Sequence, residues 1–346
     1  MNVEKQGTKW VGFGLLFVGL IGGCNRNSAP SNNGAARVVV YCSVDESFAR
    51  DVLAKFQRDT GIEVAAIYDS EAGKTTGLVN RIIREAQSGR PGADVFWSGE
   101  LFGTMRLVQA DLLDAYDPPS AADIPPRYRD PRRRWTALVV RARVLAFDPK
   151  RTPAAEVPTQ WEDLATPEIA RHTAIANPLF GTTHGHVAAM FALWGPTRGR
   201  AFLQSLRDNG ALIVDGNSAT VRAVIDGRVK FAMTDSDDVW GAQRGGASLD
   251  SRPLDMGDGG TLLIPCSVGV VKGGPNAQAA RRLADFLVSA EVERMLAKSD
   301  SRNIPVREAL RKELDMSAPA ESKITCDQIA DAMEESAEAV REILIR

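Results

Sequence analysis

Histidine is scarce in this 346-residue chain: there are three, with four cysteines and four tyrosines. So few imidazoles and thiols, scattered without metal-ligand spacing, argue against structural zinc. No serine–histidine–acid arrangement is visible, no G-x-S-x-G elbow, and no phosphate-binding glycine loop with its lysine. Nucleophilic hydrolases and P-loop nucleotide enzymes therefore lose their usual signatures. An excess of either charge is lacking as well. The formal net charge is -2, which offers nucleic acid or an anionic membrane surface no general attraction. Internal repeats are absent. The apolar run 10–21 is too short for a comfortable membrane span.

What is present begins with that run. Lys5 and Lys9 precede it, as in a secretory signal. It ends in Leu20-Ile21-Gly22-Gly23-Cys24, which resembles the lipoprotein processing box of bacteria. The resemblance implies a signal peptide over 1–23, cleavage before Cys24, and lipid on the Cys24 thiol. The mature chain is then expected in the periplasm or at the cell surface, tethered to a membrane. Residues 24–36, rich in Asn, Ser, Gly and Pro, read as the flexible tether. Outside the cytoplasm one disulfide could form among Cys42, Cys266 and Cys326, in any of three pairings. Cys42 and Cys266 also read as small buried residues within apolar runs.

The folded body alternates strand and helix signals. RVVVY at Arg37 to Tyr41 predicts a strand, Phe48, Val52, Leu53 and Phe56 mark one helical face, and Ile62 to Tyr68 predicts the next strand. ADVFW at Ala93 to Trp97 is a third strand, followed at once by Ser98-Gly99-Glu100. Trp135 to Phe147 is a long apolar run with Arg141 and Arg143 interposed, read as one or two extended strands crossing into a second domain. Ala174 to Ala176 precedes Gly181-Thr182-Thr183-His184-Gly185-His186, a polar start to an apolar helix. Val221, Val224 and Ile225 mark a short helix, Val229 to Met233 a buried strand, and Thr234 to Asp238 an acidic loop. Thr261 to Val271 contains Pro265, so the expectation is a strand that bends there rather than one regular central strand. The fold class expected is α/β, with two domains in a chain of this length. Arg127 to Arg134, RYRDPRRR, is the one dense basic patch and reads as solvated surface.

The carboxylates carry the functional reading. Asp45, Glu100, Asp237 and Asp238 all fall just past strands, where α/β proteins place ligand sites. Several carboxylates meeting in one cleft would be costly without a cation. Oxygen donors suit hard metals. Thr182 and Thr183 at a helix start can hold an anion or simply cap the helix. His184 and His186 are left as caps, packing residues or ligands. A glycosidase-like use of two carboxylates is the enzymatic alternative, and a surface sensor is the non-transport one.

The ordered phrases YCSVDESFA (from Tyr41), DSEAGKTTGLVNRI (from Asp69), ADVFWSGE (from Ala93), WEDL (from Trp161), ANPLFGTTHGH (from Ala176), GNSATVRAV (from Gly216), TDSDD (from Thr234) and TLLIPCSVGVVKG (from Thr261) resemble the solute-binding components of ABC importers, in the periplasmic ferric-ion-binding branch. The resemblance implies a two-lobe periplasmic-binding-protein fold with crossing strands and an interdomain cleft. It places the first lobe at 37–134 and 265–346 and the second at 135–264. It implies a non-catalytic monomer serving a permease and its cytoplasmic ATPase. Fe(3+) or another hard cation is the implied cargo, with an accompanying anion. By the same likeness Asp45 stands where those proteins have a histidine, Glu100 (or Gly99, if the loop is aligned without a shift) at their glutamate, and Asp237 and Asp238 approximately at their paired tyrosines. Ser43, Thr182, Thr183, Asn217 and Ser218 stand at anion-binding positions. The absent tyrosine pair leaves a small organic solute, phosphorylated or a polyamine, as the alternative cargo.

Overall fold

β-Branched residues in a short run favour the extended chain, and β1 (Arg37–Cys42) is such a run. α1 (Glu46–Thr60) buries Ala49, Val52, Leu53 and Phe56 against the sheet and stops at Gly61, whose φ of 69° suits glycine. β2 (Glu63–Tyr68) returns parallel to β1; then come α2 (Thr76–Gln87) and β3 (Val95–Ser98), parallel to β1 on its other side. α3 (Leu101–Gln109) and β4 (Leu113–Asp114) complete this portion. These elements belong to a computed structural model that describes residues 36–69 and 76–345. The leader, Cys24 and nearly all of the expected tether lie outside the described residues.

β5 (Thr136–Phe147) joins the lobes. Every one of its residues except Arg141 is buried. Its first half pairs with β10 (Leu263–Val271, later in the chain), its second half with β8 (Phe231–Asp235) and β9 (Asp250–Pro253). The second lobe follows as α4 (Pro167–Ala170), β6 (Thr173–Ala176), α5 (Gly181–Trp194), α6 (Pro196–Asp208), β7 (Leu212–Val214), α7 (Asn217–Ile225), β8 (Phe231–Asp235), α8 (Ser236–Arg244) and β9 (Asp250–Pro253). After β10 the chain re-enters the first lobe with α9 (Ala277–Leu287), α10 (Ala290–Lys298), β11 (Ile304–Pro305) and α11 (Glu308–Glu313), and closes on α12 (Cys326–Ile343). The strand order is β2-β1-β3-β10-β5-β8-β6-β7, with β4 paired to β10 and with β9 and β11 paired to β5. This is the two-lobe α/β architecture with strands crossing between the lobes.

Two expectations are corrected, while the irregular strand expected at Pro265 is found: β10 runs nine residues through Pro265 with a register shift between Cys266 and Ser267. β3 joins it only from Ser267 onward, so Pro265 lies where β10 has no neighbour on that side, a setting that tolerates proline. The acidic stretch after Met233 is not a loop. Strand β8 continues to Asp235, and Ser236 to Asp238 form the first turn of α8. The last helix does not belong wholly to the first lobe. Ile329, Val340 and Ile343 of α12 pack into the second lobe's core with Val187, Phe191 and Phe202.

Cys42, Cys266 and Cys326 are all free thiols. β1 and β10 flank β3, so Cys42 and Cys266 sit two strand spacings apart, about 9–10 Å, which is beyond disulfide reach. Among the described residues no helix is long and apolar enough to cross a membrane.

Candidate functional site

Five helices begin at the carboxyl ends of strands that face one cavity: α1 after β1, α3 after β3, α5 after β6, α7 after β7 and α8 after β8. Each start carries backbone N–H groups with no partner inside the helix and the positive end of a helix dipole. Carboxylates are therefore better tolerated here than in an ordinary apolar interior. The cavity encloses about 190 Å³ between the lobes, and Asp45, Glu100, Asp237 and Asp238 all line it. Ser43, Thr182, Thr183, Asn217 and Ser218 line it too.

The side chains differ in how they are engaged. Glu100 is nearly buried and caps α3, accepting from the Phe102 N–H at 2.6 Å and the Gly103 N–H at 3.1 Å. Asp45 precedes α1 on the first-lobe side. Asp235, Asp237 and Asp238 present carboxylate oxygens all within 4.8 Å of one another. Asp235, which the sequence shows only as part of the acidic stretch, is the most deeply committed of the three. Its Oδ1 accepts from Arg143 at 2.7 Å, and its Oδ2 from the Thr182 hydroxyl at 2.7 Å and the Asn217 amide at 2.9 Å. Thr182 and Asn217 are thus engaged by a carboxylate of the chain itself. Thr183 donates to the Asn217 side-chain oxygen at 3.3 Å, and Ser43 shares a hydroxyl contact with Ser98 at 3.2 Å.

Asp238 accepts from Thr234 at 3.0 Å and Ser218 at 3.4 Å. Burial, then the charges of Asp237 and Asp235, push its carboxyl up to about 8. The Asp237 carboxyl is also raised, by burial first, although Arg141 opposes this. One Asp237 oxygen meets Arg141 at 2.7 Å, and the other is buried with no hydrogen-bond partner.

Two arginines spaced two apart put both guanidinium groups on one face of β5. Arg143, wholly buried, donates to Asp235, to Thr182 at 3.0 Å and to His186 Nδ1 at 3.1 Å. Arg141 reaches Asp237 and the Gly99 carbonyl. Burial works against its charge, but Asp237 and Asp235 outweigh that and hold the guanidinium firmly protonated. Neither residue was selected from sequence. The available signal was a pair of charges inside an otherwise apolar strand, which is costly unless partnered. Cys266 also lines the cavity, with burial pushing its thiol up to about 12.

Neither His184 nor His186 lines the cavity. The His184 Nε2 lies 3.1 Å from the Met333 carbonyl on α12. The His186 ring stands edge-on to Trp161, centroids 4.4 Å apart. Burial lowers both imidazoles, Arg143 adding to the effect at His186. The four tyrosines are also elsewhere; Tyr41 donates to Glu85 and Tyr128 to Glu321, each at 2.7 Å. The basic patch is largely neutralised locally, Arg127 by Glu321, Arg129 and Arg133 by Asp117, and Arg134 by Asp130.

The chain resembles proteins of known role. An Fe(3+)-binding periplasmic protein of Serratia marcescens is 29% identical over 192 residues, 56% of this chain and 54% of that one. The major ferric iron-binding protein of Neisseria meningitidis serogroup A is 27% identical over 269 residues, covering 75% of this chain and 78% of its own. The ferric binding protein from Campylobacter jejuni superposes with a TM-score of 0.80 at 20% identity, over 89% of this chain and 99% of that one. Residues 91–326 match the family described as bacterial extracellular solute-binding protein. With that match, the interlobe cavity and the crossing strands, the chain belongs to the bacterial extracellular solute-binding proteins, a non-catalytic transport class that works outside the cytoplasm.

Proposed function

We propose that the cargo is a hard, oxygen-seeking cation, ferric iron first among them, captured between the lobes. Asp237 and Asp238 are the inner ligands from the second lobe, and Asp45 closes from the first. Glu100, fixed as a helix cap, adds negative charge to the same field. The observation that carries this reading is the cluster at the start of α8: three carboxylates with oxygens within 4.8 Å. Arg141 and Arg143 partner two of them, and the Asp238 carboxyl is pushed up by burial first and then by the charges of Asp237 and Asp235. A multivalent cation relieves that repulsion and takes up the unpartnered oxygen of Asp237. The names of the Serratia and Neisseria relatives support iron in particular. Without phenolates in the cavity, carboxylates and hydroxyls must do the binding, and they suit several hard cations.

Lobe closure on the ion would produce the form that docks on the permease, with lipid at Cys24 keeping the receptor at the membrane. Native mass spectrometry with metal analysis, on protein purified without chelator, tests the cargo. One bound iron or other hard metal per chain is expected. A bound organic molecule with no metal would contradict it. One feature favours that second reading: Arg141 beside the starts of α5 and α7 could grip a phosphate-bearing solute.

A further inference from the structure

We propose that Arg141 is a tethered counter-ion that a cargo cation must displace from Asp237, and that it sets the charge threshold of the cleft. This rests on the cation reading above and adds a selectivity device to it. Arg141 is the one residue of β5 not fully buried, and its side chain is 21% exposed in a strand otherwise closed to solvent. Its Nη1 lies 2.7 Å from Asp237 Oδ2, while Nη2 binds the carbonyl of Gly99. One guanidinium therefore joins a carboxylate of the second lobe to backbone of the first. The same Nη1 is 3.9 Å from Asp235 Oδ2.

Cargo binding at Asp237 is then a charge exchange. An ion that binds Asp237 through both oxygens competes with the guanidinium for Oδ2. A singly charged ion at a similar distance returns to Asp237 only what Arg141 already supplies, and it leaves a guanidinium to be rehoused. A doubly or triply charged ion gains about two or three times that attraction. The displaced side chain keeps usable partners, since the Gly99 carbonyl and Asp235 remain close. Asp238 strengthens the bias. It forms no ion pair among the described residues, and its oxygens lie within 4.8 Å of those of Asp237, so an ion seated between the two gains a second oxygen donor that the guanidinium does not engage.

The test replaces Arg141 by glutamine, near in length and uncharged, and by lysine, which keeps the charge without the planar fork. Binding of Mn2+, of spermidine, of a hexose phosphate, and of ferric iron supplied as its nitrilotriacetate chelate is measured by calorimetry, with thermal melting to check folding. R141Q is expected to bind Mn2+ and spermidine about tenfold or more tighter, because a competing charge is gone. The preference for ferric iron over Mn2+ should narrow with it. R141K should keep the parent's order of preference. If R141Q does not fold, R141K decides the matter: a parent-like preference supports the charge role, and a lost one overturns it. Unchanged or weaker binding of every cation by folded R141Q overturns the inference and leaves the cation reading standing. Loss of a sugar-phosphate ligand in R141Q, with cation binding unmoved, overturns it in favour of an anion grip. A parent that binds no cation at all removes both.

Discussion

Arg143 is fully buried, and its donors are spent on Asp235, Thr182, Thr183 and His186. Removing one member of a buried ion pair leaves the other charged and dry, which typically costs about 3–5 kcal/mol. R143Q is therefore expected to lose roughly that much stability in urea unfolding, with Asp235 left without its main donor. D235N should cost a similar amount, since it leaves the wholly buried Arg143 guanidinium charged without its carboxylate. A second residue-level prediction concerns Glu85. Burial pushes its carboxyl up, but Arg81, the Tyr41 hydroxyl and the Gly92 N–H outweigh that and lower it. A carboxyl lowered on folding stabilises above its unfolded pKa, and that contribution fades as pH falls through the folded value. E85Q should thus lose about 1 kcal/mol at pH 7. Its melting temperature should fall less steeply than the parent's between about pH 5 and 3. At this scale the sequence showed the acidic residues past the strands, because strand-end position is readable from pattern. It hid Asp235, Arg141 and Arg143, because which charge meets which depends on two strands paired across more than ninety residues.

Helix α8 shows how element and site are linked. Its first turn carries Asp237 and Asp238, where the helix dipole favours negative charge. Further along, Trp240 lies under the Arg302 guanidinium, 4.0 Å from ring centroid to Cζ, and Arg244 pairs with Asp300. The segment between α10 and β11 that supplies Arg302 and Asp300 is held to the first lobe by the β11–β5 pairing. Ser301 and Asn303 from the same segment line the cavity. Arg302 adopts a φ of 42°, left-handed for a non-glycine residue, a conformation costing on the order of 1–2 kcal/mol. Cation–π contacts of this kind contribute about 0.5–2 kcal/mol. R302A is expected to speed cargo release roughly threefold to thirtyfold, read by stopped-flow tryptophan fluorescence with W240F as the silent control. Release at the parent's rate would show that this contact does not hold the lobes. Most elements were legible in the chain because their apolar periodicity is strong. The start of α8 was not, since DSDD looks like a loop until its helix-end setting is known. The continuity of β10 through Pro265 depended on where a neighbouring strand begins.

Across the whole molecule, β5 and β10 carry the chain between lobes, and α12 leans on helices of both, packing against α5 and α6 and also touching α3. The two-lobe plan was readable from the order of its motifs. The placement of α12 was not, because an amphipathic helix declares an apolar face without naming the surface that covers it. Cargo identity is likewise a property of the assembled cleft, where carboxylates from both lobes face two arginines from the joining strand. The central claim is that Asp237 and Asp238 hold the cargo ion. The most direct measurement is a ferric titration of the parent beside D237N/D238N, with circular dichroism confirming that both fold. The double variant should bind iron at least about a hundredfold more weakly, as expected when charged ligands become neutral amides. Equal affinity in the two proteins would contradict the claim.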